Sequence, residues 1–223
     1  MREGLTEIVF IIDRSGSMGG LESDTIGGFN SMIEKQKKEE GEAIVSTVLF
    51  DDRSEVIYDR VDLKKVEPMN DTQYYVRGCT ALLDALGGAV KHIKTVHKYA
   101  REDDRPEKTV FIVTTDGMEN SSRKYDYDEV RKMVEKQRKE AGWEFIFLGA
   151  NLDSVEYAGR MGFSAKTSVN YESDSRGTLK NYEVLGRTLS AVRCAKRTEN
   201  LDDIVSMCCE EIREDYSKRH KRP

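Results

Sequence analysis

VFIIDRSGSMGG, residues 9–20, begins as an apolar strand and ends in small polar residues. Extended to EIVFIID (7–13), the apolar run is continuous rather than alternating, the pattern of a strand buried on both faces of a parallel sheet. KTVFIVTTDG (108–117) and WEFIFLGA (143–150) repeat it. Between them lie stretches whose apolar residues recur at helical stride: Ile26, Phe29 and Ile33; Leu82, Leu86, Val90 and Ile93; Val130, Met133, Val134 and Gln137. Strands alternating with helices predict a doubly wound, mostly parallel α/β sheet with helices on both faces. EAIVSTVLF and SEVIYDRV are separated only by DDR, too short for a crossover, so they are expected to form one antiparallel edge hairpin. KTSVNY can supply a last, short edge strand.

After it come two amphipathic segments, one marked by Leu179, Tyr182, Leu185, Leu189 and Val192, the other by Leu201, Ile204, Cys208 and Ile212. The expected organisation is one domain over 1–196 and a helical extension over 197–223, ending in a basic, solvated tail. Gly27-Gly28 is read as allowing the first helix to pack closely on the sheet.

The chain has 223 residues, 35% of them charged, and a formal net charge of −5. That balance argues against a nucleic-acid or anionic-membrane surface. No apolar run is long enough to span a bilayer, and the N-terminal apolar stretch is too short for a signal peptide. Four cysteines (Cys79, Cys194, Cys208, Cys209) lack regular spacing, which predicts free thiols and a cytoplasmic setting. In the adjacent pair, one thiol is expected to be buried and the other flanking. The three histidines do not pair with Cys or Glu at ligand spacing, so a zinc site of that kind is not expected.

Ligands of such a sheet bind beyond the carboxyl ends of its strands, where strand order reverses. Two strands end in aspartate, Asp13 and Asp116. Carboxylates about 5 Å apart at an effective dielectric near 20 repel by roughly 3 kcal/mol, so a cation, a proton or a positive side chain must relieve them. Arg14 adjoins Asp13, whereas TTDGMENSS around Asp116 holds no Lys or Arg. With Ser15 and Ser17 the donors are hard oxygens, suited to Mg²⁺ or Mn²⁺.

Asp13-Arg14-Ser15-Gly16-Ser17 has the form D-x-S-x-S, RGCTALLDAL carries Thr80 ahead of a helix, and TTDGMEN carries Asp116. In these positions, their order and their elements, the chain resembles von Willebrand factor type A domains over about residues 5–195, integrin I domains included. The stretch IFLGANLDSVEYAGRMGF is similar to a bacterial, intracellular branch of that family. The resemblance implies a metal-ion-dependent adhesion site formed by Asp13, Ser15, Ser17, Thr80 and Asp116. The hydroxyls would be direct or near-direct ligands, and the aspartates would act largely through water. It implies a Mg²⁺-dependent, non-enzymatic module whose protein partner supplies an Asp or Glu to the metal.

Each residue also has a plainer reading. Thr80 can be a helix N-cap, Asp116-Gly117 a turn, Asp51 and Asp52 the turn of the hairpin, Glu119 and Asn120 a solvated loop, and His92 and His97 helix-face residues. The alternative function is a metal-dependent phosphohydrolase or phosphotransferase on the same acidic rim. A dehalogenase-type enzyme would need aspartate where Ser15 stands, G-x-S-x-G and G-K-[ST] are both absent, and no partner lysine is apparent near a later strand. A degenerate, metal-free scaffold is a third possibility, opposed by five matching positions.

Overall fold

A computed structural model describes residues 1–151, 153–196 and 198–220. In chain order its elements are β1 (Arg2–Asp13), α1 (Glu22–Gln36), β2 (Glu42–Phe50), β3 (Ser54–Asp62), α2 (Leu82–Tyr99), β4 (Pro106–Thr115) and α3 (Tyr127–Ala141). There follow β5 (Glu144–Gly149), α4 (Ser154–Arg160), β6 (Ser168–Asn170), α5 (Ser175–Cys194), α6 (Leu201–Cys208) and α7 (Glu210–His220). The six strands form one sheet in the order β3-β2-β1-β4-β5-β6, parallel except for the antiparallel β2–β3 pair.

The unbroken apolar run of β1 serves two cores. Ile8, Phe10 and Ile12 face one side with Phe29 and Met32 of α1 and Leu185 and Leu189 of α5. Val9 and Ile11 face the other with Leu86 and Val90 of α2 and Val130 and Val134 of α3. Successive side chains point to opposite faces, so a strand covered on both must be apolar at every position.

Local signals close α3 at the glycine expected beyond its end, whereas α1 stops at Gln36, short of Gly41, the glycine expected to end it. Asp126 and Glu129 form a reciprocal capping box at the start of α3, and Gly142 closes it at φ 64° in the left-handed conformation that glycine adopts without strain.

Three expectations are revised. A methyl group on Gly28 would lie 2.4 Å from the Tyr182 ring, so this glycine admits α5 against α1 rather than the sheet against α1. The segment after residue 200 is two helices, broken at Cys209, with Val205, Cys209 and Ile212 joining the core on the α1–α5 face. Cys209 is the buried thiol and Cys208 the flanking one. Finally, Lys218, Arg219 and His220 continue α7 instead of fraying, and Arg219 is ion-paired to Asp174 and Asp215. The last residues of the basic tail, 221–223, lie outside the described residues.

Candidate metal centre

β1 and β4 are neighbours while their following helices take opposite faces, so strand order reverses between them. Asp13 ends β1, and Asp116 directly follows β4. Both are buried, at 0% and 4% exposure.

Asp13 is held from three sides. One carboxylate oxygen accepts the Ser15 N–H at 2.6 Å, the other accepts the Thr115 hydroxyl at 2.5 Å, and its carbonyl accepts the Tyr74 hydroxyl at 2.7 Å. Burial pushes its carboxyl up to about 6; hydrogen bonds from Thr115 and Ser15 pull it down, and the nearby Asp116 adds to the rise.

The hydroxyls converge on one point. The Ser15 and Ser17 oxygens are 3.1 Å apart. A methyl group built on Gly117 would lie 3.0 Å from Thr80 Oγ1, 3.1 Å from Ser17 Oγ and 3.7 Å from Ser15 Oγ. Glycine leaves this space open, bordered by three oxygens. Asp116 completes the rim. One of its oxygens accepts the Ser173 hydroxyl at 3.1 Å, while the other, Oδ1, is buried without a hydrogen-bond partner. Buried carboxylate oxygens are rarely left unmatched. Among the described residues no three His, Cys, Asp or Glu side chains form a metal-holding group; the donors here are three hydroxyls and two carboxylates. The space over Gly117, the partnerless oxygen and the all-oxygen donor set fit a small hard cation.

Thr80 does not cap α2: Ala81 occupies that position, without a side-chain cap. The first turn is instead capped across space, by the Glu119 carboxylate on the Leu83 N–H and the Ser122 hydroxyl on the Asp84 N–H. Asn120 accepts the Thr80 N–H and donates its own to the Thr80 carbonyl. The Thr80 hydroxyl is thereby left to the rim. Glu119, half-buried, and Asn120, exposed, brace the site from a solvated loop.

Arg14 also departs from its sequence position. One residue beyond Asp13, its side chain turns away from the rim and is fully buried against Asp51 at 2.8 Å and Glu55 at 2.8 Å. Arg77 reaches the same Asp51 oxygen at 2.8 Å. Burial would raise the Asp51 carboxyl, yet Arg77 and Arg14, with bonds from Asp52 and the Arg53 backbone, hold it below the usual range. Asp51 therefore anchors the rim loops as well as turning the hairpin, and its carbonyl accepts the Ala81 N–H at 2.7 Å beside Thr80.

Sequence reasoning missed Thr115, Tyr74 and Ser173. Thr115 carried a signal, because the polar pair Thr114-Thr115 follows directly on the apolar run 110–113 of β4. Ser173 carried none; its neighbour Asp174 reads as the N-cap of α5 and is one.

This architecture defines a class: an open α/β sheet bearing an oxygen-donor rim at its topological switch point. The von Willebrand factor type A domain model matches residues 7–183, and the chain belongs to that family. Three solved structures with a TM-score of 0.56 share the fold. One is the von Willebrand factor type A protein from Catenulispora acidiphila, 13% identical over 83% of this chain and 43% of that one. Another is proximal thread matrix protein 1 from the mussel byssus with a zinc-occupied MIDAS motif, 19% identical over 83% and 46%. The third is a mutant of the PilB minor pilin from Streptococcus sanguinis, 11% identical over 83% and 61%. The chain thus spans less than two thirds of each. No curated protein matches it by sequence. No helix among the described residues is long and apolar enough to cross a membrane.

Proposed function

We propose that the chain is a divalent-cation-dependent protein-binding module, with Asp13, Ser15, Ser17, Thr80 and Asp116 as its metal-ion-dependent adhesion site. The observation that carries this reading is the convergence of three hydroxyls over Gly117 beside the partnerless oxygen of Asp116. Ser15, Ser17 and Thr80 would be direct or near-direct ligands, and Asp13 and Asp116 would act largely through water. Mg²⁺ or Mn²⁺ bound there supplies positive charge that an Asp or Glu of a protein partner completes. The zinc-occupied motif of the mussel protein supports a divalent ion at this position in the fold; the oxygen-only donors here favour the harder ions.

The chain's own residues divide the work. Ser15 and Ser17 follow β1 and fix the ion to the sheet. Thr80, on a separate loop braced by Asn120, meets the ion and the incoming carboxylate together. The groups bonded to Asp13 are Ser15, Thr115 and Tyr74, none of them a base for hydrolysis. With serine at position 15, this favours binding over the phosphohydrolase or phosphotransferase alternative. The residues 1–196 form the binding unit and 197–223 its helical extension. Free thiols, two of them exposed, suit a bacterial cytoplasm, and the acidic surface suits neither nucleic acid nor membrane.

Mg²⁺ or Mn²⁺ at a hundred times its Kd stabilises the parent by about 2.7 kcal/mol, seen as a higher Tm. Asp13→Ala abolishes the shift; an equal shift in that variant refutes the site. An affinity pull-down from lysate in Mg²⁺ against EDTA yields the partner. Thr80→Ala then keeps most metal affinity in calorimetry and binds that partner roughly ten- to a hundredfold more weakly. Unchanged partner binding would refute the shared-ligand role.

A further inference from the structure

Gly117, over which the three hydroxyls converge, is followed by Met118, which is 58% exposed. Met118 and the buried Tyr157 line a pocket of 180 Å³ whose remaining walls are Asp153, Glu156 and Arg160, at and within α4. The Glu119 N–H donates to the Tyr157 hydroxyl at 2.5 Å, which fastens the loop after β4 to α4 and keeps the pocket beside the rim. β5, which leads into α4, neighbours β4, and paired strands lie about 4.8 Å apart. A chain held at the metal therefore reaches the pocket within a few residues.

The pocket has room for one side chain; cavities for drug-sized ligands run about 300–1,000 Å³. Its chemistry selects which side chain. Met118 offers flexible apolar surface. Asp153 and Glu156 are exposed acids. Asp153 uses one oxygen to cap α4, accepting the Val155 and Glu156 N–H groups at 3.1 Å each, and among the described residues neither acid is ion-paired. The one cation of the lining, Arg160, is engaged elsewhere, its guanidinium carbon 3.9 Å from the centre of the Tyr127 ring. Two acids against one base leave a net negative charge beside apolar surface. That is the complement of a side chain with an aliphatic stem and a cationic head. On the opposite side of the rim the β2–β3 turn sets Arg53 and Arg77 against Asp52 and Asp51, so charge there is already balanced.

We propose that the partner carries a Lys or Arg within about four residues of the acid that completes the metal, and that this side chain enters the Met118–Tyr157 pocket with its head against Asp153 and Glu156. The proposal rests on the metal-site reading above and narrows it. The metal captures any accessible carboxylate; the pocket chooses among them by the cation nearby.

A displayed library of random peptides, selected on the full chain in Mn²⁺ and eluted with EDTA, tests it. The eluted sequences should pair an Asp or Glu with a Lys or Arg within about four residues. Selection on the double variant Asp153→Asn, Glu156→Gln should keep the acid and lose the preference for the cation; asparagine retains the cap of α4. A synthetic peptide from the parent selection should bind Glu156→Gln about two- to fivefold more weakly, the range of an exposed ion pair, with a smaller difference in high salt. Glu156→Lys should weaken it further, and the same peptide with Glu in place of its Lys or Arg should recover the loss, which a merely structural role for Glu156 would not produce. If Mn²⁺ does not raise the Tm of the parent, the metal-site reading fails and the proposal falls with it. If Mn²⁺ does so and EDTA releases peptides with an acid but no neighbouring cation, or no peptides at all, the metal site stands and the proposal is overturned. Parental affinity of the peptide for Glu156→Lys would likewise overturn it.

Discussion

Two buried carboxylates on β1, six residues apart, meet opposite fates. Glu7, toward the start of the strand, is fully buried and closed by the protein itself. One of its oxygens pairs with Arg60 at 2.6 Å and the other with His97 at 2.5 Å. Asp13, at the strand's end, is equally buried yet meets only hydroxyls and an N–H, with a second carboxylate nearby. A carboxylate whose two oxygens are answered by a guanidinium and an imidazole belongs to the structure. One answered only by neutral donors, beside another acid, leaves negative charge for a ligand to balance. The same strand therefore carries a closed ion cluster at one end and an open one at the other. His97 is correspondingly a structural hydrogen-bond partner of Glu7, its ring edge-on to Trp143 at 5.3 Å.

The strongest way to break this comparison is Glu7→Gln. Removing one partner of a buried ion pair strands the others; with Arg60 and His97 still partly hydrated, the loss should be about 3 kcal/mol in chemical denaturation. The Tm rise on adding Mn²⁺ should survive, because the rim is untouched. A variant of parental stability would show that the closed cluster is ornamental, and loss of the metal response would show that the two ends are not independent.

A third carboxylate sharpens the contrast by pH. Glu144, at the start of β5, is buried and hydrogen-bonded to Asp202 of α6, itself paired with Arg138 at 3.1 Å. Burial, reinforced by Asp202, pushes its carboxyl up to about 8 from 4.5. Because the folded chain holds this proton more tightly than the unfolded one, the contribution is complete below pH 4.5 and is lost as pH rises toward 8. The loss is on the order of 3 kcal/mol at pH 7. Glu144→Gln should flatten that decline and stabilise the protein at pH 8. A parallel decline in parent and variant would rule Glu144 out as its source.

The smallest effect on stability falls at the rim. Gly117→Ala places a methyl group where the three hydroxyls converge, in a backbone conformation open to alanine. Folding stability should change by less than about 1 kcal/mol, yet the Tm response to Mn²⁺ should largely vanish. A full response would place the ion elsewhere than over Gly117.

Much of the fold could be read directly. Continuous apolar runs at β1, β4 and β5 imply strands buried on both faces, and the three-residue DDR link forces the β2–β3 hairpin to be antiparallel. Gly142, just beyond the end of α3, was equally legible. The break at Cys209 was not, because Val205, Cys209 and Ile212 meet the core in a way that no helical stride in the tail specifies.

The sequence by itself determined that Asp13 and Asp116 share a rim: parallel strands end on the same side, so two strand-ending aspartates must emerge together once the strands pair. It also determined the donor chemistry, because Ser15 and Ser17 alternate with Asp13 along one short loop. Only the tertiary structure decided which donors are free. Glu119 and Ser122 cap α2 and spare the Thr80 hydroxyl; Asp51, 37 residues from Arg14, draws that cation off the rim; Ser173 fixes one oxygen of Asp116 and leaves the other open. Periodicity and spacing are local quantities, set by backbone geometry over a few residues. The partner of a buried charge is chosen by whichever group, however distant in sequence, the packed sheet brings within 3 Å.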